Sequence, residues 1–253
     1  MDKLIYTVSN SMNSVQTRQA ITAQNLANMN VPGYRRDLPN DNGSLRTDNG
    51  QSFAARVFQM QEDRSYYSGE VGFMDQTGDP LDISIAEEGY FYVQEGDGQV
   101  GLTRRGDLRT DGLGRLTNGA NELILDVNMQ PIVLPPHRSM QIDDVGQISI
   151  VPIDSQTGDP EPVNMLATVA PDPNLALTKG LDGLIRGLDG LVPLPNQLAT
   201  VQQGVLEGAN VNTTEELIAM IDLQRGFEMN TRMIETAKEL DESGASLMRA
   251  PQE

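Results

Sequence analysis

Apolar residues fall into helical spacing at the two ends of the chain and into short alternating runs between them. Near the C-terminus, Met220, Leu223, Phe227, Ile234, Ala237, Leu240 and Leu247 follow one another at intervals of 3, 4, 7, 3, 3 and 7 residues. That spacing lines one face of an α-helix and predicts a single element from about Thr213 to Arg249. Thr213 and Glu216 have the S/T-x-x-E spacing of a capping box at its start. The span has no proline, and its glycines, Gly226 and Gly244, are isolated. Such a helix would run for roughly 55 Å at 1.5 Å per residue. That length suits a coiled coil or filament subunit better than an ordinary globular helix. Near the N-terminus, Ile5, Val8, Met12 and Val15 stand at a/d spacing, continued by Gln19, Thr22 and Leu26. The predicted helix runs from about Leu4 to Asn28. Polar residues in a seam weaken it but specify register. This segment is rich in Ser, Asn, Gln and Thr, so its stability has to come from packing. Both ends are therefore expected to be poorly ordered in the free monomer.

Between the helices the period changes. Val31-Pro32-Gly33-Tyr34 ends the first helix, since proline biases Val31 out of the α region and glycine permits a turn. Residues 36–52 are polar and turn-rich and read as a connector, with a strand at Phe53–Met60. Leu81, Ile83 and Ile85 alternate with Asp82 and Ser84, the pattern of a half-buried strand. Tyr90–Val93 follows, then the hairpin signal Asp97-Gly98 and a return at Leu102–Arg104. Asp111-Gly112 and Asn118-Gly119 mark later turns. Short strands are expected at 114–117, 123–125, 132–134, 140–142, 147–153 and 165–169. Many short strands between regular turns predict a β sandwich or barrel-like domain. A heptapeptide is duplicated at 180–186 and 187–193, and its four glycines predict surface turns rather than helix.

The fold class that follows is α+β. Long terminal helices pair as a discontinuous coiled-coil unit (residues 1–35 and 205–253), residues 36–76 form an extended connector, and residues 77–204 form an inserted all-β domain. Charge supports the division. Residues 1–35 carry one acid and three bases, a charge of +2, and residues 205–253 carry ten acids and four bases, a charge of −6. Opposite signs favour packing of the ends against each other. The net charge of −18 leaves −14 on the middle, which argues against nucleic-acid binding. No cysteine is present, so disulfides and thiolate metal sites are excluded. No apolar run is long enough to span a membrane, and the N-terminus lacks the pattern of a cleaved signal.

Candidate chemistry is thin. Gly96, Gly98 and Gly101 spell G-x-G-x-x-G, but a dinucleotide site needs a helix next, and a strand pattern follows. His137 is the single histidine, behind Pro135-Pro136, and is expected on an exposed loop. Asp107, Asp111 and Asp143-Asp144 are candidates for a hard cation but lack EF-hand spacing. No catalytic, cofactor or metal-binding residue is assigned, and no enzymatic activity is expected.

The ordered motifs carry a resemblance. Ala23-Gln24-Asn25-Leu26-Ala27-Asn28 with Val31-Pro32-Gly33-Tyr34 resembles the N-terminal signature of the bacterial flagellar rod and hook proteins. Gly78–Ile85 with Gly89–Val93 resembles a second family motif, and Thr103–Leu108 with Asp111, Gly114, Leu116-Thr117 and Gly119 a third. Leu206-Glu207-Gly208-Ala209-Asn210-Val211-Asn212, then Glu216, Met220-Ile221, Gln224-Arg225, Phe227-Glu228 and Asn230, resembles the fourth. Val31 and Ala209 depart from the usual threonine and serine. The opening Met1–Thr7 and the chain length look most like a proximal-rod subunit, with the distal-rod type as nearest rival.

The resemblance implies a non-enzymatic building block of the basal-body rod, the tube that transmits torque to hook and filament. It implies export unfolded by the flagellar type III apparatus and assembly with other rod subunits. Assembly would run through Ile5, Val8, Met12, Val15 and Leu26 on one helix and Met220, Leu223, Phe227, Ile234 and Leu240 on the other. The signature residues Asn25, Asn28, Gly33, Asn210 and Asn212 are read as helix-end and turn formers. Leu26, Ala27, Tyr34, Gly208, Gln224 and Arg225 complete the signature set. The reading of another class is a secreted adhesin-like β protein flanked by helices.

Overall fold

Two helices bracket the chain, α1 (Asp2–Ala27) and α2 (Thr213–Met248), with short strands between them. The computed structural model describes residues 2–39, 44–47, 56–59, 66–155, 158–170, 172 and 175–248. The chain divides into two units: one formed by Met1–Ala27, Asp37–Asp63 and Asn212–Glu253, the other by Asn28–Arg36 and Arg64–Val211.

The first unit is helical. Its side-chain bonds fix an antiparallel register between α1 and α2. Asn230 Nδ2 donates to Ser11 Oγ at 3.1 Å, and Asn25 Nδ2 donates to Glu216 Oε1 at 3.1 Å. Moving 14 residues forward along α1 thus moves 14 residues back along α2. Between these points Gly226 lies against Val15. The unit also holds β1 (Asp37–Leu38) and the antiparallel pair β2 (Ser44–Thr47) and β3 (Arg56–Gln59), which takes part of the strand expected at 53–60; residues 53–55 and 60 lie outside the described residues. The cap of α2 sits one residue before the expected capping box. Asn212 Oδ1 accepts from the Thr214 and Glu215 N–H groups, and its backbone carbonyl accepts from Glu216 N–H. Among the described residues no helix is long and apolar enough to cross a membrane.

The second unit is β-rich. Its strands are β4 (Tyr66–Tyr67), β5 (Met74–Gln76), β6 (Ile83–Ile85), β7 (Tyr90–Gln94), β8 (Val100–Thr103), β9 (Leu108–Thr110), β10 (Leu116–Asn118), β11 (Leu123–Ile124), β12 (His137–Ile142), β13 (Gln147–Pro152), β14 (Glu161–Met165), β15 (Thr168–Val169), β16 (Leu177–Lys179), β17 (Ile185–Gly187), β18 (Val201–Gln203) and β19 (Val205–Glu207). The largest sheet runs β16-β17-β8-β7-β11-β10-β9, with β15 also on β7, and β12-β13-β14 form a second sheet. The returning chain closes the unit: β18 pairs with β6 and β19 with β5.

Strand β7 explains why the core is continuous. Phe91 and Val93 join one apolar cluster with Ile83, Leu116, Ile132 and Ile148, while Tyr90 and Tyr92 join another with Leu102, Leu125 and Ile185. A strand buried on both faces reads as an unbroken apolar run, as Tyr90–Val93 does. Strand β6 corrects a sequence reading. Its alternation predicts one wet face, yet Ile83, Ser84 and Ile85 are all buried. Ser84 occupies the face expected to be polar and solvated, and that face is covered.

Four loops share one design. Asp111–Arg115, Asn118–Glu122, Asp126–Gln130 and Asp143–Gln147 each begin with an Asp or Asn whose side-chain oxygen accepts from the N–H groups of the third and fifth residues. The fourth residue's N–H returns to the first carbonyl. This is an Asx turn closing a three-residue hairpin loop. The fourth residue takes positive φ, which is why Gly114 and Gly146 stand there, and why Asn121 and Met129 adopt φ of 64° and 61°. The duplicated heptapeptide uses the same backbone twice. Gly183 N–H meets Gly180 O and Gly190 N–H meets Gly187 O, while Asp182 and Asp189 accept from Leu184 and Leu191.

Candidate assembly interface

Among the described residues the helical unit buries few apolar side chains. On α1, Val8 is buried, and Met12, Val15 and Leu26 are half-buried; on α2, Met220, Leu223, Phe227 and Ile234 are half-buried and Ala237 is buried. Ile5 lies in α1. Leu240 is 56% exposed, and Leu217, Ile218, Ile221, Met229 and Met233 on the same helix are also exposed. Gln224 and Arg225 face water, and Arg225 makes only a 3.8 Å exposed pair with Asp222. Such a pair contributes almost nothing to stability.

Asn25 ties three elements of this unit together. The sequence suggests a helix-end role, but the side chain is buried and serves three elements. Its Oδ1 accepts from Asp37 N–H at 2.8 Å, and its Nδ2 donates to Asp37 O at 3.0 Å and to Glu216 Oε1. Asn alone offers an acceptor and two donors on one short amide, which suits a junction of α1, β1 and α2. Glu216 is also buried, so the amide satisfies a carboxylate that water does not reach.

In the β unit, the segments on either side of the helices meet. Asn28 O accepts from Val31 N–H, and Pro32 leads to Gly33 at φ +66°. A Cβ at Gly33 would lie 2.3 Å from Arg104 O, so only glycine fits. Gly33 N–H donates to Glu207 O at 2.8 Å, and Gly208 N–H to Phe73 O at 2.7 Å. Tyr34 carries Lys179 Nζ 3.8 Å above its ring. Asn210 is not a helix-start residue. Its Oδ1 accepts from Arg36 N–H at 2.6 Å, and its Nδ2 donates to Ser68 O and Glu70 O. Ala27 is exposed and closes α1, while Asn212 caps α2 as described.

Sequence reasoning missed the charge at the centre of these contacts. Glu207 is buried with Arg35 Nη1 at 2.9 Å and Arg104 Nε at 2.5 Å, and also accepts from Gly72 N–H at 2.8 Å. Arg104 spends its other donors on the carbonyls of Ile85, Glu87 and Gly89. Burial pulls the Arg35 guanidinium below its usual value, and the Glu207 carboxylate opposes that pull. Glu207 sits in a family-like motif, but its partners are far away in sequence, so no local pattern could point to the pairing.

The residues weighed for other chemistry take structural positions. Gly96, Gly98 and Gly101 lie on the β7–β8 hairpin, and Asp97 accepts from Gln99 N–H within it. His137 opens β12 rather than an exposed loop and is half-buried, with Nδ1 at 2.9 Å from Pro135 O. Asp111 and Asp143 hold turns, and Asp107 pairs with Arg105. Hydrogen bonding to Arg115 holds Asp111 below the usual carboxylate range, whereas burial pushes Glu122 above it. Among the described residues no group of three or more His, Asp or Glu stands together as a metal site.

Comparison with known proteins agrees with this arrangement. Three family models match in chain order: flagella basal body rod protein at residues 5–35, the D1 domain of flagellar hook protein FlgE/F/G at 84–150, and the C-terminal model of flagellar basal body rod FlgEFG protein at 202–247. The flagellar basal-body rod protein FlgF of Escherichia coli K12 is 32% identical over 92% of this chain and 93% of its own length. FlgF of Salmonella typhimurium LT2 is 32% identical over 94% of this chain and 95% of its own. The rod protein FlgG of Bacillus subtilis 168 is 27% identical over 98% of this chain and its full length. These relatives are structural proteins of the rod, not enzymes. With both terminal segments and the β unit matched in order, the chain belongs to the flagellar basal-body rod protein family, and its place is the basal-body rod.

Proposed function

We propose that this rod subunit polymerises through its terminal helices, paired as a coiled coil, into the tube that carries torque from the basal body to hook and filament. The observation that carries the reading is the apolar surface α2 leaves in water: Leu217, Ile218, Ile221, Met229, Met233 and Leu240 are all exposed. A run of exposed apolar side chains on one helix marks an interaction surface. Neighbouring subunits complete the cores of the two helices, and head-to-tail contacts that do not close give a helical filament. In that arrangement residues 1–35 and 205–253 act as the assembly domain, 36–76 as connector and 77–204 as the outer domain. Ile5, Val8, Met12, Val15 and Leu26 line the seam from α1, with Leu223, Phe227 and Ile234 packing toward Val8, Met12 and Val15. A Cβ placed on Gly226 would lie 4.0 Å from Val15 Cγ2, which supports that register. Gln224 and Arg225, solvated in the single chain, contact neighbours in the rod.

The 32% identity to FlgF of Escherichia coli K12, against 27% to FlgG of Bacillus subtilis 168, supports a proximal-rod position. The rod reading brings with it export as an unfolded chain by the flagellar type III apparatus. The test is Phe227→Asp in a motile strain. A charge in the seam abolishes incorporation and swimming while the β unit of the purified full-length variant stays folded. Normal incorporation of the variant would show that the seam lies elsewhere.

A further inference from the structure

The buried charges around Glu207 have no part in the assembly surface. They gather where the chain crosses into and out of the β unit. The segment that follows α1 supplies Gly33, Arg35 and Arg36, and the segment that precedes α2 supplies Glu207, Gly208 and Asn210. Arg104 comes from the chain just after β8, and Gly72 from the irregular stretch before β5.

The balance of charge is unequal. One carboxylate faces two guanidiniums, and the side chains of all three residues are 4% exposed or less. Lys179, also buried, donates from Nζ to Arg35 O at 2.8 Å and adds a third cation nearby. Two guanidiniums in a dry site need a counter-charge, because removing one partner of a buried pair strands the other. Glu207 is the sole carboxylate bonded to either arginine in this cluster among the described residues. It also binds backbone from two other segments: its carbonyl holds Gly33 N–H, after α1, and its carboxylate holds Gly72 N–H, before β5. Glycines at 33 and 72 permit the approach, since a Cβ at either would meet backbone, at Gly72 2.0 Å from Gly208 O.

We propose that Glu207 is the pin of a buried charge clasp that ties the segment leaving α1 to the segment entering α2, so that these two segments of the β unit open and close together. Without the Glu207 charge, Arg35 and Arg104 repel each other in a site that water enters only if the segments part. A clasp of this kind fixes the separation of the two points from which the assembly helices continue. It also makes closure of the β unit conditional on a seated C-terminal segment.

Amide hydrogen exchange on the free full-length chain tests the clasp. Glu207→Gln keeps the shape and removes the charge. The clasp predicts exchange faster by roughly a hundredfold, the smaller end of the cost of breaking a buried pair, at Gly33, Arg36, Gly72 and Gly208. The Ile148 and Ile150 amides of β13 stay as slow as in the parent. Arg35→Met is the second variant, and it leaves a neutral one-to-one pair of Arg104 and Glu207. It speeds exchange at Gly33 and Arg36 by a smaller factor and spares Gly72. Uniform acceleration across β13 and the crossings in Glu207→Gln would overturn the proposal, because Glu207 would then be an ordinary part of the global core. Unchanged exchange at Gly33 and Arg36 in Arg35→Met would overturn it as well, even if Glu207→Gln failed to fold.

Discussion

Strand β7 buries side chains on both of its faces, whereas α2, among its described side chains, buries one apolar residue, Ala237, and leaves six large ones in water. The two units also place their polar residues differently. In the β unit, Asp and Asn close hairpin loops and Glu207 bridges two arginines. In the helical unit, Thr22, Asn25 and Glu216 occupy positions that a self-sufficient helix pair would fill with apolar residues. The lesson is that the β unit pairs a deep apolar core with exposed apolar residues such as Phe73, Leu181 and Leu194, whereas α2 has exposed apolar residues with almost no core beneath them among the described residues. On the proposed reading, such a subunit has a stable body and terminal helices whose apolar surface is covered by neighbours.

The largest effect should come from the β unit. Phe91→Ala removes a fully buried ring from the larger cluster and should cost about 3–5 kcal/mol, read as a loss of denaturant midpoint for the β-unit transition. A small loss would mean that the core is looser than its burial implies.

Asn25→Ala should come next. It leaves the Glu216 carboxylate and the Asp37 backbone without the amide, at about 2–3 kcal/mol. The loss should appear in the helical signal by far-UV circular dichroism while the β-unit transition stays in place. Movement of both transitions together would merge the two units into one and break the comparison.

Glu122→Gln gives a smaller, pH-dependent effect. Burial raises the Glu122 carboxyl in the fold, so the protonated form is favoured there. Its contribution is present at pH below the ordinary carboxylate value and is lost as pH rises through the elevated folded value. The glutamine variant should therefore melt higher than the parent at pH 7 and equal to it near pH 4. An equal difference at both pH values would contradict the assignment. The smallest effect belongs to Leu240→Ser and Met229→Ser, each within about 0.5 kcal/mol in the free chain. The same variants should impair rod assembly, and a strain carrying both that swam normally would remove the interface from this face of α2.

Much of the fold is legible from period alone. The helical spacing from Met220 to Leu240 and the apolar run Tyr90–Val93 each announce their element because the pattern is local. The duplicated Gly180–Leu184 and Gly187–Leu191 turns are equally plain, since the residues that close each loop stand within it. What escapes is contact between distant segments. Ser84 looks solvated because alternation describes one strand and not what covers it. Asn25 looks like a helix end, yet its partners are Asp37 and Glu216. The paired role of Glu207 depends on Arg35 and Arg104, at separations where sequence spacing carries no geometric meaning. The acids Asp111 and Asp143 attract attention as cation ligands until their oxygens are seen holding backbone N–H groups.

The central claim is that the terminal helices gain their stability from neighbouring subunits. The measurement that tests it is amide hydrogen exchange along α1 and α2 in the free chain and again in assembled rods, with β13 as the internal reference. The account predicts rapid exchange through both helices in the free chain beside slow exchange in β13, and strong protection of the helices on assembly. Helical amides as protected in the free chain as those of Ile148 and Ile150 would contradict it.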